Sequence, residues 1–453
     1  MPSTVSQPVD LLALHRLNPE RYPFLLQSAV VAEPRPATAR YDILFAFPGD
    51  SYALWADNRI TRNGEAYGDG DFLTLLDRLW REEQTDTDIS PDLPFTGGWF
   101  VYLGYEVAAQ IEPRLDLPKD DEQPVAVLTR IPAAVIHDHQ TGQTSLVAEP
   151  AQKSILARIE QDIARTAEKT RDRLPTQQIN MDADDPQHYL RGVERVKHYI
   201  VEGDVFQVNL SRGWQGEVKP APADADLYQQ LCQTNPAPFA ALAQLPGLNV
   251  ISSSPERLVK ISGGRIETRP IAGTRPRGRE QHGDTANLQE LIGHPKERAE
   301  HIMLIDLERN DLGRVCEPGS VEVDELMGLE TYAHVHHIVS NVTGRLRKDV
   351  TPGEAIRAVF PGGTITGCPK ERCMAIIAEL EQVPRGAYTG SLGYLNHNGD
   401  LDLNILIRTI TQQGEHLALR AGAGLVFDSI GENELQETEH KARGMLLALG
   451  AVS

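Results

Sequence analysis

One stretch of the chain is crowded with groups able to handle an anion. It runs from Ser254-Pro255-Glu256-Arg257 through Arg269-Pro270-Ile271-Ala272-Gly273-Thr274-Arg275-Pro276-Arg277-Gly278. Ser262-Gly263-Gly264 at its centre predicts a β-hairpin turn, because glycine supplies the backbone that tight turns require. The flanks then hold an acid, several arginines and two turns fixed by Gly and Pro. A guanidinium fork matches a carboxylate, so the chemistry on offer is the binding of a small anionic ligand.

Three further places put charge into an apolar pattern. A helix expected over 296–310, with Pro295 near its start, sets Glu300 on the same arc as Met303, Leu304 and Leu307. An acid there is costly unless an arginine pairs with it or a cation binds it. After residue 387 two hairpins are expected, turning at Asn398-Gly399 and Gln413-Gly414, and a middle strand over 402–410 gives Leu406, Arg408 and Ile410 one face. That arginine either snorkels to the edge or receives an anion. In the last helix, about 432–449, Leu435, Ala442, Leu446 and Leu449 face inward while Glu434, Glu437 and Lys441 share another arc. By spacing alone this arc reads equally well as a solvated face with a Glu437–Lys441 pair. The Gly/Pro-rich loop 361–370 leads into a helix with free amides at its start, but it lacks the spacing of a nucleotide P-loop.

Positioning these groups takes a large scaffold. Residues 1–150 read as a β-rich region, with strand candidates at 25–28 and 40–46, a helix at 72–81 and an apolar run at 95–105 whose paired glycines suggest close packing against another sheet. Residues 151–185 form a helix carrying Ile155, Ile159 and Ile163, followed by a polar linker. Asp185 and Pro186 then signal a new helix start, with Tyr189, Val193, Val196 and Ile200 on one face, and a strand follows at 205–210. The third region is therefore 186–453. Strands between Gly/Pro turns, with helical patterns set apart from them, indicate an α+β fold of mostly antiparallel sheet. No GxGxxG follows a strand, which argues against a doubly wound nucleotide fold.

The totals exclude several classes. With 453 residues and 40% hydrophobic content the chain can bury a large core, and a net charge of −20 argues against nucleic acid and anionic membrane as partners. Four cysteines without a CxxC pair give neither a disulfide framework nor a zinc site. No apolar run approaches ~18 residues and no signal-peptide pattern opens the sequence, so a soluble cytoplasmic protein is expected.

Taken together, residues 203–211, 254–257, 269–278, 298–301, 306–314, 336–340, the 361–370 loop, Ile407-Arg408-Thr409 and Gln436-Glu437-Thr438 resemble the chorismate-utilising enzymes. They keep that family's order over roughly 186–450, and the joint match is highly specific. The resemblance implies a layered sandwich of two large antiparallel sheets with flanking helices, chorismate as substrate and a requirement for Mg²⁺. It also assigns roles. Glu300, Glu434 and Glu437 would be the metal's carboxylates. Arg408, Lys441 and the backbone around Gly422 and Gly424 would hold a substrate carboxylate, with Thr274 a further substrate contact. Glu256 would be the general acid for the departing ring hydroxyl, with a pKa raised by burial. His337 would lie near the ring.

The resemblance also bears on the nucleophile. Water-adding relatives carry a lysine base where Gln207 stands here, and an amide cannot take a proton from water, so ammonia is favoured. Many members of the aminodeoxychorismate-forming branch have a lysine at the position of Ala272, whereas the anthranilate-forming branch has alanine; a covalent lysine adduct there is impossible in this chain. Thr366 and the stretches 40–43, 92–98 and 403–408 resemble the aminodeoxychorismate-forming branch. The expected reaction is Mg²⁺-dependent amination of chorismate to 4-amino-4-deoxychorismate, for p-aminobenzoate and folate synthesis. The alternatives are anthranilate formation and, more remotely, a non-catalytic binding role. No cysteine sits in a Gly-x-Cys-x-Gly setting, so the ammonia is expected from a separate glutamine amidotransferase subunit. Leu25-Leu26-Gln27-Ser28 is similar to the Leu-Leu-Glu-Ser segment of a tryptophan effector site, with Gln27 replacing the acid, and otherwise reads as a core strand.

Overall fold

The computed structural model describes residues 3–5, 9–30, 35–84, 93–167, 178–276, 295–331 and 335–451. Its architecture follows from strands that are buried on both faces. Along Gly98–Leu103 every residue is buried: Trp99, Val101 and Leu103 enter one apolar layer, while Phe100 and Tyr102 enter another. Successive side chains of a strand point to opposite faces, so near-continuous apolar runs demand a covered layer on each side. Tyr41–Ala46 divides the same way, with Ile43 and Phe45 on one side and Leu44 and Ala46 on the other.

Two antiparallel sheets result, each of 12 strands among the described residues. The middle of the first runs Phe24–Gln27, Phe239–Leu245, Leu248–Ser254, Thr409–Gln413, His416–Leu425, Gln207–Glu217. The second runs Ile271–Pro276, Val335–Arg345, Arg265–Thr268, Arg257–Ser262, Leu401–Asn404, Ser391–Asn396, Gly98–Leu103 and on toward the N-terminal strands. Between the sheets lies an aromatic layer in which Phe24 stacks on Phe100, ring centres 3.8 Å apart. Helices Leu11–Leu17, Ser154–Ala167, Asp224–Thr234 and Gly431–Ala448 cover the outside of the first sheet; Phe72–Glu82, Pro295–Gly313 and Pro352–Val359 cover the second. This is the α+β sandwich expected from the sequence.

Local signals placed several elements where they are. Ser262-Gly263-Gly264-Arg265 turns the hairpin of Arg257–Ser262 and Arg265–Thr268. Helix Pro186–Val201 starts with Asp185 accepting the Gln187 amide, and Tyr189, Val193 and Val196 are buried. Regions 1–150 and 186–453 contribute strands to both sheets: Phe24–Gln27 pairs with Phe239–Leu245, and Gly98–Leu103 with Ser391–Asn396. No helix among the described residues is long and apolar enough to cross a membrane.

Two expectations need correction. The single strand expected over 402–410 is two strands in different sheets, Leu401–Asn404 in the second and Thr409–Gln413 in the first. Residues 405–408 pass between them, and Arg408 turns the chain at φ 53°, so period-2 alternation does not govern Leu406 and Arg408. A neighbouring segment makes the reverse change of sheet. Leu248–Ser254 leaves the first sheet and Arg257–Ser262 enters the second, with Pro255-Glu256 as the link. Proline has no amide hydrogen to give a ladder, which suits it to this break. The two crossings are bonded to each other through Ile405 N to Glu256 O at 3.0 Å, Ser253 N to Arg408 O at 3.1 Å and Ser254 Oγ to Ile405 O at 2.5 Å.

The second correction concerns Gly98. Its close neighbour is the adjacent strand of its own sheet rather than the other sheet: a Cβ there would lie 2.1 Å from Leu395 O, and its φ is 147°. Gly98→Ala is therefore expected to destabilise the fold by about 3 kcal/mol, read as a lower urea midpoint at unchanged slope. A loss below about 1 kcal/mol would mean that the strand pair yields easily at this point.

Candidate active site

The double crossing presents Glu256 and Arg408 from adjacent chain segments. Glu256 is buried; Thr364 Oγ1 donates to its Oε1 at 2.7 Å. Burial pushes its carboxyl up to about 7, against the opposing pull of the Thr364 hydroxyl, Lys441 and the Ile271 amide. Arg408 is half-buried, and its guanidinium makes no hydrogen bond or ion pair among the described residues. Burial lowers its pKa from the usual arginine value, while Tyr388 and Glu437 oppose that shift. A cation left in this condition favours an incoming anion.

His337 lies on Val335–Arg345, where it pairs in register with Thr274 of Ile271–Pro276. It is buried, and burial lowers it to about 4, with the charge of Arg408 adding to the shift while the Gly273 backbone resists it. The ring is thus neutral at neutral pH. Ala272 pairs with Ile338 on the same strand; the side chains of Ala272 and Thr274 lie outside the described residues.

Helix Gly431–Ala448 brings the opposite wall. Lys441 Nζ donates to Gly422 O at 2.9 Å and pairs with Glu437 Oε1 at 2.6 Å. Glu434 is half-buried one turn earlier, and both Glu434 and Glu437 act on the buried Tyr189 hydroxyl. Gly422 and Gly424 pair with Ser211 and Asn209 of Gln207–Glu217. A side chain at either glycine would fill the floor: a Cβ at Gly422 would lie 2.7 Å from Asn209 Oδ1 and from Tyr388 OH, and one at Gly424 would lie 2.4 Å from Gln207 Nε2.

Gln207 links this floor to Glu300, donating from Nε2 to Glu300 Oε1 at 2.8 Å. A carboxylate only accepts, so that bond fixes which way the amide points. Gln207 Oε1 is then left buried with no hydrogen-bond partner, as is Asn209 Oδ1 two residues along the same face. Orphaned buried acceptors are uncommon, and they point to a missing donor.

Beneath the floor sits a buried ionic network that the sequence patterns did not reveal. Glu381 and Arg385 pair at 2.6 Å, and Arg420 reaches the same carboxylate at 3.2 Å. Ser211 N and Oγ both donate to Glu381 Oε1 at 2.8 Å, and Arg385 donates to Asn209 O and Ile365 O. Burial opposes the charge on Glu381, but the two guanidiniums win and hold it below the usual carboxylate range.

The structure therefore gathers Glu256, His337, Arg408, Gly422, Gly424, Lys441, Glu300 and Glu437 into one connected set of bonds, glycine approaches and charge effects. Tyr388 and Tyr189 join them without a motif of their own, and Asn209 and Thr364 join them from the stretches 203–211 and 361–370, where neither had been given a role. Among the described residues no three His, Cys, Asp or Glu side chains converge to hold a metal ion; Glu300 is engaged by Gln207 and Glu437 by Lys441. Gln27 holds Asp42 at 3.0 Å and lines a separate cavity of about 1270 Å³ with Arg40, Tyr41, His139 and Phe239.

The comparisons with known proteins agree with this geometry. A family model described as chorismate binding enzyme matches residues 31–447. An anthranilate synthase component I-like protein of Synechocystis sp. is 42% identical over 428 residues, covering 94% of this chain and 86% of that one. Aminodeoxychorismate synthase component 1 of Bacillus subtilis is 41% identical over 394 residues, covering 84% and 83%. The crystal structure of anthranilate synthase component I from Streptococcus pneumoniae superposes with a TM-score of 0.81 at 30% identity, over 98% of this chain and 100% of that one. The chain belongs to the chorismate-binding enzyme family.

Burial of acids carries a stability signature. An unfolded glutamate releases its proton near pH 4.3, whereas folded Glu256 keeps it to about 7 and Glu308 to about 8. The folded chain thus binds more protons, and stability falls as pH rises through these values. Glu256→Gln removes one such group. It is expected to be more stable than the unaltered chain by on the order of 3 kcal/mol at about pH 8.5, with the gap closed by about pH 4.5. Urea unfolding at the two pH values measures this, and an equal gap at both would refute the assignment.

Proposed function

We propose that the chain replaces the 4-hydroxyl of chorismate by ammonia, giving 4-amino-4-deoxychorismate for p-aminobenzoate and folate synthesis. The observation that carries the amine side of this reading is Gln207. Its amide cannot deprotonate water, and its buried Oε1 lacks a donor that an N–H of ammonia would supply. Asn209 Oδ1 offers a second acceptor beside it.

The remaining groups divide the work. Arg408 and Lys441 attract the carboxylate of the enolpyruvyl group, and Gly422 and Gly424 let it approach the backbone. Glu256, kept protonated near neutrality by burial, delivers a proton to the departing hydroxyl. Neutral His337 stands near the ring without adding charge. Glu300, Glu434 and Glu437 offer oxygen donors only, which suits magnesium; that ion takes few carboxylates and keeps waters, so a closed cage is not required. Bound Mg²⁺ would be held by these acids and would supply neutralising charge for the ring carboxylate. Ala272 excludes a lysine adduct at its position. A separate glutamine amidotransferase subunit would supply the ammonia, which fits the component names carried by the relatives.

Thr366 and the stretches 40–43, 92–98 and 403–408 favour the aminodeoxychorismate product. Ala272 favours a second reading, anthranilate formation, because relatives of that branch carry alanine there. Incubation with chorismate, ammonium and Mg²⁺ separates the two: p-aminobenzoate should form only after addition of the downstream lyase, and anthranilate fluorescence without it would overturn the first reading. In the same assay Arg408→Ala should raise the chorismate KM by on the order of 30- to 100-fold. Gln207→Leu should raise the KM for ammonium more than that for chorismate; an equal rise in both would count against its place beside ammonia.

A further inference from the structure

Behind the crossing lies a second buried acid that the proposed reaction has not used. Glu308 is buried on helix Pro295–Gly313, and the 361–370 loop packs directly onto this turn: a Cβ at Gly363 would lie 2.3 Å from Leu307 Cδ2 and 3.4 Å from Glu308 Oε1. The next residue of that loop, Thr364, is the one bonded to Glu256. Glu308 feels the charge of Glu256 across this loop. One turn further along the helix, buried Asp311 pairs with Lys370 at 2.6 Å, and Lys370 also donates to Val359 O at 3.0 Å. Leu307, Asp311 and Lys370 line a cavity of about 750 Å³ on the outer side, together with Met303 and Arg314. Acidic groups therefore run in sequence from Glu256 through Glu308 to Asp311, which lines this cavity.

We infer that Glu308 returns the proton to Glu256 in each turnover, drawing it from the outer cavity beside the Asp311–Lys370 pair. The inference rests on the reading of Glu256 as the acid that expels the ring hydroxyl. In that step the C4–O bond breaks and its electron pair leaves with oxygen, which takes the Glu256 proton and departs as water. The ammonia lone pair forms the C4–N bond, and the product amine keeps three protons as an ammonium group. Glu256 is left as a carboxylate, so one proton must enter from solvent per turnover. Glu308 gives its proton to that carboxylate and is reprotonated from the cavity by way of Asp311, the acid of the series that lines it.

The electrostatics support this order. Burial pushes Glu308 up to about 8, and the neighbouring Asp311 adds to the shift while Lys370 opposes it. With Glu256 at about 7, donor and acceptor differ little, which keeps transfer between them close to balanced. The groups facing Glu308 are Asp311 on its own helix, Lys370 at the start of Lys370–Glu381, Glu256 at the crossing and the uncharged Thr268 on Arg265–Thr268; Arg314 and Cys368 lie beyond, next to Asp311.

The test uses the full chain with chorismate, ammonium and Mg²⁺, following kcat and KM against pH for the unaltered chain, Glu308→Gln and Glu308→Asp. A relay predicts that Glu308→Gln loses about tenfold or more in kcat at about pH 8.5 and little at about pH 6, with chorismate KM within about twofold. Glu308→Asp should recover most of the loss, and added imidazole buffer should raise kcat of Glu308→Gln in proportion to its concentration. A Glu308→Gln enzyme with an unshifted pH profile and no response to buffer overturns the relay alone. Equal losses in both variants at every pH, with KM rising, also overturn it in favour of a packing role. An unaltered chain that turns over no chorismate overturns the underlying reading, and the relay with it.

Discussion

Two neighbouring chain segments cross between the sheets side by side, in opposite directions, and the geometry of the candidate site hangs on that shared step. A chain that abandons a ladder inside a protein must satisfy its backbone groups elsewhere. Here the crossings satisfy each other, through Ile405 to Glu256, Ser253 to Arg408 and the Ser254 hydroxyl to Ile405. The same bonds hold Arg408 in a left-handed conformation that costs an arginine on the order of 1 kcal/mol. Glu256 and Arg408 are thus fixed by the bonds between the crossings, before any contact of their own side chains is counted.

The opposite wall is fixed by charge. Glu381 and Arg385 are fully buried, and an ion pair in that position stabilises little over an apolar pair of the same size. Its value here is positional: Arg385 and Glu381 consume the carbonyls and hydroxyls of Asn209, Ser211 and Ile365. Two side-chain acceptors of Gln207–Glu217, Gln207 Oε1 and Asn209 Oδ1, are left unsatisfied beside the site. The network beneath the floor therefore decides which polar atoms are left over for a ligand.

Much of this was legible in the sequence, and the failures have physical causes. The Ser262-Gly263-Gly264 turn and the Asp185-Pro186 helix start are local chemistry, and local chemistry is what single residues report. The arc of Glu434, Glu437 and Lys441 is a helical spacing, and its pairing was open to inspection. The change of sheet at 405–408 was not visible, because an apolar run reads the same whether its neighbours belong to one sheet or two. Gly98 misled for a related reason: its close approach is across a strand pair, which spacing does not report. Glu308 sits in a run of charged residues that suggests a solvated helix face, and only the loop packed upon it makes it a buried acid. Proposing roles for Glu256, His337 and the carboxylates of Glu300, Glu434 and Glu437 took the joint resemblance, since each motif alone was weak.

The sharing of both sheets by the two ends of the chain has a consequence for its synthesis. Phe24–Gln27 waits for Phe239–Leu245, and Gly98–Leu103 waits for Ser391–Asn396, almost 300 residues later. A nascent chain leaving the ribosome at about 5–20 residues per second therefore spends many seconds with apolar strands that each have one edge paired locally and the other without its partner. Those edges are templates for pairing with another molecule. The scaffold that makes a well-anchored cleft in the finished protein leaves exposed strand edges on the way to it.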